Sequence, residues 1–191
     1  MMDRRSYLAT AALAATGLAG CAGTNPEDSG DAKLGGQPTK TLGTTPSGAQ
    51  RLSFGETLSL PRVDVTLSEP EAIQEYRWEQ DGAEQTVEAG EGKQWMVVHT
   101  RASNTADRTV RLPLTSNFGG VVGDIVYHPG RNKSPTAKYV GGKVDAGESH
   151  EGDMMFLLPE DVTVEQFRVL YGEARPDGKR HAWWASSTGG N

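Results

Sequence analysis

The 191-residue chain contains one cysteine, so no intramolecular disulfide can brace it and its core must hold by packing. It has no apolar run near the roughly 20 residues that a membrane-spanning helix needs. Its best apolar stretch, Leu8 to Ala19, is about half that length. Basic residues are outnumbered, 19 Lys and Arg against 25 Asp and Glu, for a formal charge of −6. That balance argues against nucleic acid, which needs a basic face, and gives no pull toward anionic lipid head groups. Catalytic signatures are missing as well. There is no Gly-x-Ser-x-Gly elbow, no phosphate-cradling glycine loop and no His-x-x-x-His pair. No long segment repeats with period 3.6, and no internal repeat is visible. The expectation is therefore a β protein that is not an enzyme and carries no cofactor.

What is present begins with residues 1–24, MMDRRSYLATAALAATGLAGCAGT. Arg4 and Arg5 form a twin-arginine pair followed by Ser6, Tyr7 and Leu8, and the apolar stretch comes next. Leu18-Ala19-Gly20-Cys21 then reads as a lipobox, since small residues let a signal peptidase reach the backbone before Cys21. The Cys21 thiol is the nucleophile that a lipid transferase would alkylate. One buried acyl CH₂ contributes about 0.8 kcal/mol, and stable anchoring takes two chains, which a diacylglycerol-type or archaeol-type group would supply. Twin-arginine export carries proteins that have already folded. The leader resembles those of lipoproteins from halophilic archaea, which use this route widely for proteins without cofactors. These residues predict a cell-surface, extracytoplasmic protein anchored to the membrane through a lipid on Cys21, with a protein partner of unknown identity.

Removing residues 1–20 takes away Arg4, Arg5 and Asp3, which leaves 17 of the 19 basic and 24 of the 25 acidic residues, a charge of −7. Residues 21–49 are rich in Gly, Thr, Pro, Ser and Asp and almost free of apolar side chains. They read as a lipidated flexible tether that cannot bury enough surface to offset its ordering entropy. Residues 50–187 are assigned to one β-sandwich, and 188–191 to a disordered tail.

Within the sandwich, Arg62 to Leu67 alternates with period two, as a half-buried strand does. Ile73 to Glu79 and Glu84 to Glu88 flank Asp81-Gly82, a hairpin signal. Trp95 to Ala102 is the most apolar strand and is placed at a sheet centre. Further strands are expected at Thr109 to Leu114, Gly120 to Tyr127, Lys138 to Val144 and Met154 to Leu158. Phe167 to Tyr171 and His181 to Ala185 should pair across the Pro176-Asp177-Gly178 turn. Residues 160–166 suit a single helical turn. Eight to ten short strands in all point to an all-β, immunoglobulin-like sandwich.

The segment Gly92-Lys93-Gln94-Trp95-Met96-Val97-Val98-His99-Thr100-Arg101-Ala102-Ser103-Asn104 carries a resemblance. Asn117-Phe118, Asp124 to Tyr127, Asp145 to Gly152, Met154 to Pro159 and Phe167 to Tyr171 follow it in order. Together they resemble an immunoglobulin-like (telokin-like) family of uncharacterised lipoprotein domains over roughly residues 52–172. The family has no established catalytic residues, so the resemblance implies none here.

A few constellations carry sharper chemistry. His150 with Met154 and Met155 combines imidazole and thioether, a donor set that suits copper(I), although both methionines lie in an apolar strand run. The leading expectation there is no metal. Glu148, Glu151 and Asp153 surround Gly147 and Gly152 but lack the order of a calcium loop, and read as a solvated turn. His181 and Trp183 should share one face of the last strand, with Trp184 on the other, and could anchor a partner or a sugar ring. Asn132-Lys133-Ser134 is a glycosylation sequon followed directly by Pro135.

Overall fold

A computed structural model of the chain describes residues 39–40, 48–130, 137–175 and 178–187. Arg4, Arg5, Cys21, Asn132 and the tail from residue 188 lie outside the described residues. The described residues form fifteen strands and two single turns of 3₁₀ helix, Thr115–Asn117 and Val164–Gln166. Among them no helix is long and apolar enough to cross a membrane.

The strands in chain order are β1 (Thr39–Lys40), β2 (Gln50–Ser53), β3 (Thr57–Leu60), β4 (Val63–Leu67) and β5 (Glu71–Ile73). Next come the hairpin β6 (Glu75–Gln80) and β7 (Ala83–Glu88), the long β8 (Lys93–Asn104) and the short β9 (Val110–Leu112). β10 (Phe118–Val122), β11 (Ile125–Tyr127) and β12 (Gly142–Val144) precede the second long strand, β13 (Ser149–Pro159). β14 (Phe167–Arg175) and β15 (Gly178–Ala185) close the series.

One sheet runs β13-β8-β4-β3, with β5 pairing the first part of β8 beyond the end of β4. The other runs β1-β11-β10-β14-β15-β2 and is antiparallel except where β2 lies parallel to β15. The chain leaves β2 in one sheet and enters β3 in the other, so a single turn ties the two layers together. Phe54 N–H donates to the Ala185 carbonyl at 3.2 Å and Gly55 N–H to the Leu67 carbonyl at 2.7 Å across that junction. The molecule is an all-β sandwich.

Period-two alternation builds the core. The even-numbered residues Met96, Val98, Met154, Phe156 and Leu158 point between the sheets, where Phe118, Phe167, Val169, Tyr171 and Trp184 meet them. The Phe156 and Phe167 rings lie 5.3 Å apart at 59°, a tilted contact that aromatic quadrupoles favour. Trp184 is fully buried, and its Nε1 donates to the Glu56 carbonyl at 3.1 Å. The odd-numbered Trp95 and Val97 point the other way and are buried too, because the β6–β7 hairpin folds over them and forms a second cluster with Tyr76, Ala89 and Met155. Past that cover, His99 and Arg101 face solvent. Asp81 (φ 54°) and Gly82 (φ 76°) turn the hairpin with two left-handed residues, as a type I′ turn requires.

Asn104 ends β8 as a buried hub. Its Nδ2 donates to the Arg108 and Asp145 carbonyls, both at 2.8 Å, and its Oδ1 accepts from Ala106 N–H at 2.8 Å. Every polar atom of the side chain is thereby satisfied without water.

Several boundaries differ from the sequence expectation. Ile73 belongs to β5, separate from the hairpin strand. Gly120 to Tyr127 is not one strand but two, β10 and β11, folded at Gly123-Asp124, since Gly123 takes a φ of 55°. Only Gly142–Val144 of the expected Lys138 to Val144 strand is extended in a ladder, with a lone parallel bridge at Lys138. Met154 to Leu158 is the centre of an eleven-residue strand. Thr39–Lys40, expected inside the tether, pair with Ile125 and Val126.

Candidate functional site

β13 is an edge strand for the first sheet, and its edge is covered where the candidate site forms. Asp153 N–H donates to the Ala137 carbonyl at 2.6 Å, and the Asp153 carbonyl accepts from Tyr139 N–H at 3.2 Å. Gly130 N–H reaches the Met155 carbonyl at 2.6 Å. This approach depends on Gly152. A Cβ there would sit 2.5 Å from the Lys138 carbonyl carbon and 2.6 Å from the Tyr139 nitrogen, so any side chain would push the segment away.

The result is a cleft of about 790 Å³ between β13, residues 128–130 and 138–140, and the Thr115–Asn117 turn. Met154, Tyr139, Pro129 and Val140 give it apolar lining; Thr115, Ser116, His128, Lys138 and Asp153 give it polar lining. The volume falls within the roughly 300–1,000 Å³ typical of small-molecule sites. Side-chain bonds hold the walls. Thr115 Oγ1 donates to the Tyr139 carbonyl at 2.6 Å, Asn117 Nδ2 to the Gly172 carbonyl at 3.2 Å, and Tyr139 Oη to the Pro113 carbonyl at 2.7 Å. Burial holds the Tyr139 phenol far above its ordinary ionisation range.

Asp153 joins the cleft to the outer face of the first sheet. Its Oδ2 accepts from Tyr76 Oη at 2.7 Å, and its Oδ1 lies 2.9 Å from His99 Nδ1. His99 is the cross-strand partner of Asp153, and Tyr76 comes from the hairpin. An acid holding one imidazole nitrogen fixes the ring and leaves the other nitrogen facing outward; the His99 side chain is 53% exposed. Among the described residues no hydrogen bond places a hydroxyl on that second nitrogen, so the arrangement is a positioned imidazole.

The residues singled out in the sequence fall elsewhere. Met154 is packed in the inter-sheet core and Met155 in the hairpin cluster on the opposite face, while His150 is exposed with Nδ1 3.0 Å from the Gly141 carbonyl. Alternation along β13 thus sends Met155 away from Met154 and does not join the three candidate copper donors. Among the described residues no three His, Cys, Asp or Glu side chains converge on one point. His181 and Trp183 do share the outer face of the second sheet, with Trp184 turned inward. They are not an exposed anchor. Both are half-buried, and His181 Nδ1 and Trp183 Nε1 are shielded from solvent without a hydrogen-bond partner. Asp153 is not in a solvated turn either; it sits mid-strand with two donors on its carboxylate. Sequence reasoning missed His99, Tyr76, His128 and Lys138, which are brought together only by the register of β13 on β8 and by the covered edge.

No family model matches the chain. No curated protein matches it by sequence. Among solved structures it is similar to the yjhA protein of Bacillus subtilis, at 11% identity over 69% of this chain and 98% of that one, with a TM-score of 0.50. An uncharacterised β-sandwich protein from Clostridium difficile matches at 12% identity over 72% and 93%, with a TM-score of 0.45. MPT63, a secreted protein from Mycobacterium tuberculosis, matches at 15% identity over 73% and 98%, with a TM-score of 0.47. The likeness is one of fold.

Proposed function

We propose that this protein is a binding module displayed outside the cytoplasm, held to the membrane by a lipid on Cys21 and serving a surface or transport complex. The Arg4-Arg5 pair and the lipobox support the location, and the segment between Cys21 and β1 would hold the sandwich away from the bilayer. The same reading places the domain in the immunoglobulin-like lipoprotein family that its strand motifs resemble.

The observation that carries the binding role is the cleft beside Asp153. Three polar side chains in its lining, Ser116, His128 and Lys138, have no hydrogen-bond partner among the described residues, whereas the groups that shape its walls are internally paired. A rigid concavity with unspent polar groups is what a recognition site needs. Its size favours a small-ligand carrier as the second reading.

The test is cross-linking in intact cells, followed by purification through the sandwich and mass spectrometry, with a Cys21→Ala chain as control. One recurrent membrane or surface partner that disappears in the control is the expected result. A Cys21→Ala protein that stays in the membrane would overturn the anchor. A complete lack of partners would shift the assignment to the small-ligand carrier.

A further inference from the structure

We infer that the cleft takes a small molecule with an apolar body and a single anionic head group; the inference rests on the reading of that cleft as the binding site and names its ligand class. The argument is an inventory of what the lining has left to offer. Several of its acceptors are engaged: the Asp153 carboxylate by Tyr76 and His99, the Tyr139 carbonyl by Thr115, and the Asp153 carbonyl by Tyr139 N–H. The Tyr139 hydroxyl is spent on the Pro113 carbonyl and is not a free donor. Among the described lining residues, the side chains without a hydrogen-bond partner are the Lys138 ammonium, which can only donate, and the Ser116 hydroxyl and His128 imidazole, each able to donate or accept. Lys138 has no ion-pair partner among the described residues, although its backbone bridges that of Asp153. A ligand that satisfies these groups supplies oxygen acceptors and negative charge.

The other half of the inventory is apolar. Met154 is 1% exposed and closes one wall, with the Tyr139 ring and Pro129 beside it. Val140 is 52% exposed, one of two large hydrophobic side chains so placed among the described residues, and it borders the same cleft. A fully hydrophilic anion would leave this lining wet, whereas a ring or branched chain would cover it. Lys138 is the one Lys or Arg among the described lining residues, so a single negative charge balances it. One head group fits better than two.

The experiment uses three probes with one body and different heads: 3-phenylpropionate, 3-phenylpropanol and 3-phenylpropylamine. Each is titrated into the ¹⁵N-labelled full chain carrying Cys21→Ala, and binding is read from amide shifts at Thr115, Ser116, Lys138, Tyr139 and Val140. Probes this small bind weakly, which shift mapping tolerates. The expected order is carboxylate over alcohol over amine, with Lys138→Gln reducing the carboxylate affinity about tenfold, to the level of the alcohol. Val140→Asp, at an exposed position that folding does not depend on, should weaken the carboxylate at least as much. Equal affinities for the three probes at these residues, or a preference for the amine, would overturn the anionic head group and leave the cleft as a binding site. No shift at the cleft with any probe would overturn both.

Discussion

Met155 and Phe156 are neighbours in sequence and equally buried, yet they belong to different cores. Phe156 sits between the two sheets, against Phe167 and beside the large aromatic side chains of the second sheet. Met155 sits on the far side of the same strand, under the β6–β7 hairpin with Tyr76, Trp95 and Val97. The first cluster joins elements from nearly the whole chain; the second joins one hairpin to one sheet face. The lesson is that burial alone does not rank these positions. A global core and a local cover can present the same exposure, and they differ in how much of the fold depends on them.

The widest separation of the two clusters should come from a matched pair of truncations. Phe156→Ala removes a fully buried ring from the inter-sheet core and should destabilise the whole sandwich by about 3–5 kcal/mol. Met155→Ala should cost about 2–3 kcal/mol. Denaturant unfolding with native-state hydrogen exchange distinguishes the two. Phe156→Ala should raise exchange throughout β8, β10, β13 and β14 together. Met155→Ala should raise it first in β6 and β7 while β10 and β14 keep their protection. A uniform loss of protection in both variants would show that the hairpin cluster is part of a single cooperative core.

That division was partly legible in the sequence. Trp95 to Ala102 is the most apolar strand of the sequence, which suits a sheet centre, and the structure puts it between β13 and β4. Asp81-Gly82 announced the hairpin through the φ > 0 that its turn requires. Asn104, the last residue of the segment that carries the resemblance, is a hydrogen-bonding hub at the end of β8 and takes no part in the cleft. The cleft was not legible. His99 and Asp153 are 54 positions apart and meet only because β13 pairs with β8 in one register, and a slip of one residue would turn them to opposite faces. Lys138 and His128 come from a segment with no periodic pattern, placed by hydrogen bonds to a strand edge. The copper donors failed for the same reason. His150, Met154 and Met155 are close in sequence, but an extended strand sends Met154 and Met155 to opposite sides.

The hairpin is also fastened by a polar contact, and cutting it sharpens the comparison at a smaller scale. Tyr76→Phe keeps the ring in the cluster and removes the 2.7 Å bond to Asp153 Oδ2. A hydrogen bond to a carboxylate contributes about 1.5 kcal/mol before allowance for the partial exposure of Asp153. The expected loss is therefore about 1 kcal/mol, with faster exchange confined to β6 and β7. The His99 C–H resonances should shift as well, because Asp153 then has one donor where it had two. An unchanged His99 spectrum would show that the two contacts to Asp153 are independent, and that the hairpin cluster does not communicate with the cleft.

The smallest expected effect at neutral pH belongs to Tyr139→Phe, on the cleft side of the inter-sheet core. The ring stays in its edge-on contact with Phe118, with centroids 6.1 Å apart, and only the bond to the Pro113 carbonyl is lost, at about 1 kcal/mol or less. Its signature lies in alkali. Burial raises the Tyr139 ionisation well above the usual phenol range, so the folded protein keeps a proton that the unfolded chain releases near pH ~10. The sign follows directly. The stability tied to that proton is complete below about pH 10 and is lost as the pH climbs toward the folded-state value. Tyr127, raised by burial and by the nearby Asp161 charge, adds to the same decline. Stability measured by denaturant unfolding from pH 8 to 12 should fall above pH 10 in the wild-type chain and fall less steeply in Tyr139→Phe. Identical slopes in the two proteins would mean that the Tyr139 hydroxyl is open to solvent and ionises freely, and the cleft wall would then carry an additional group able to meet a ligand.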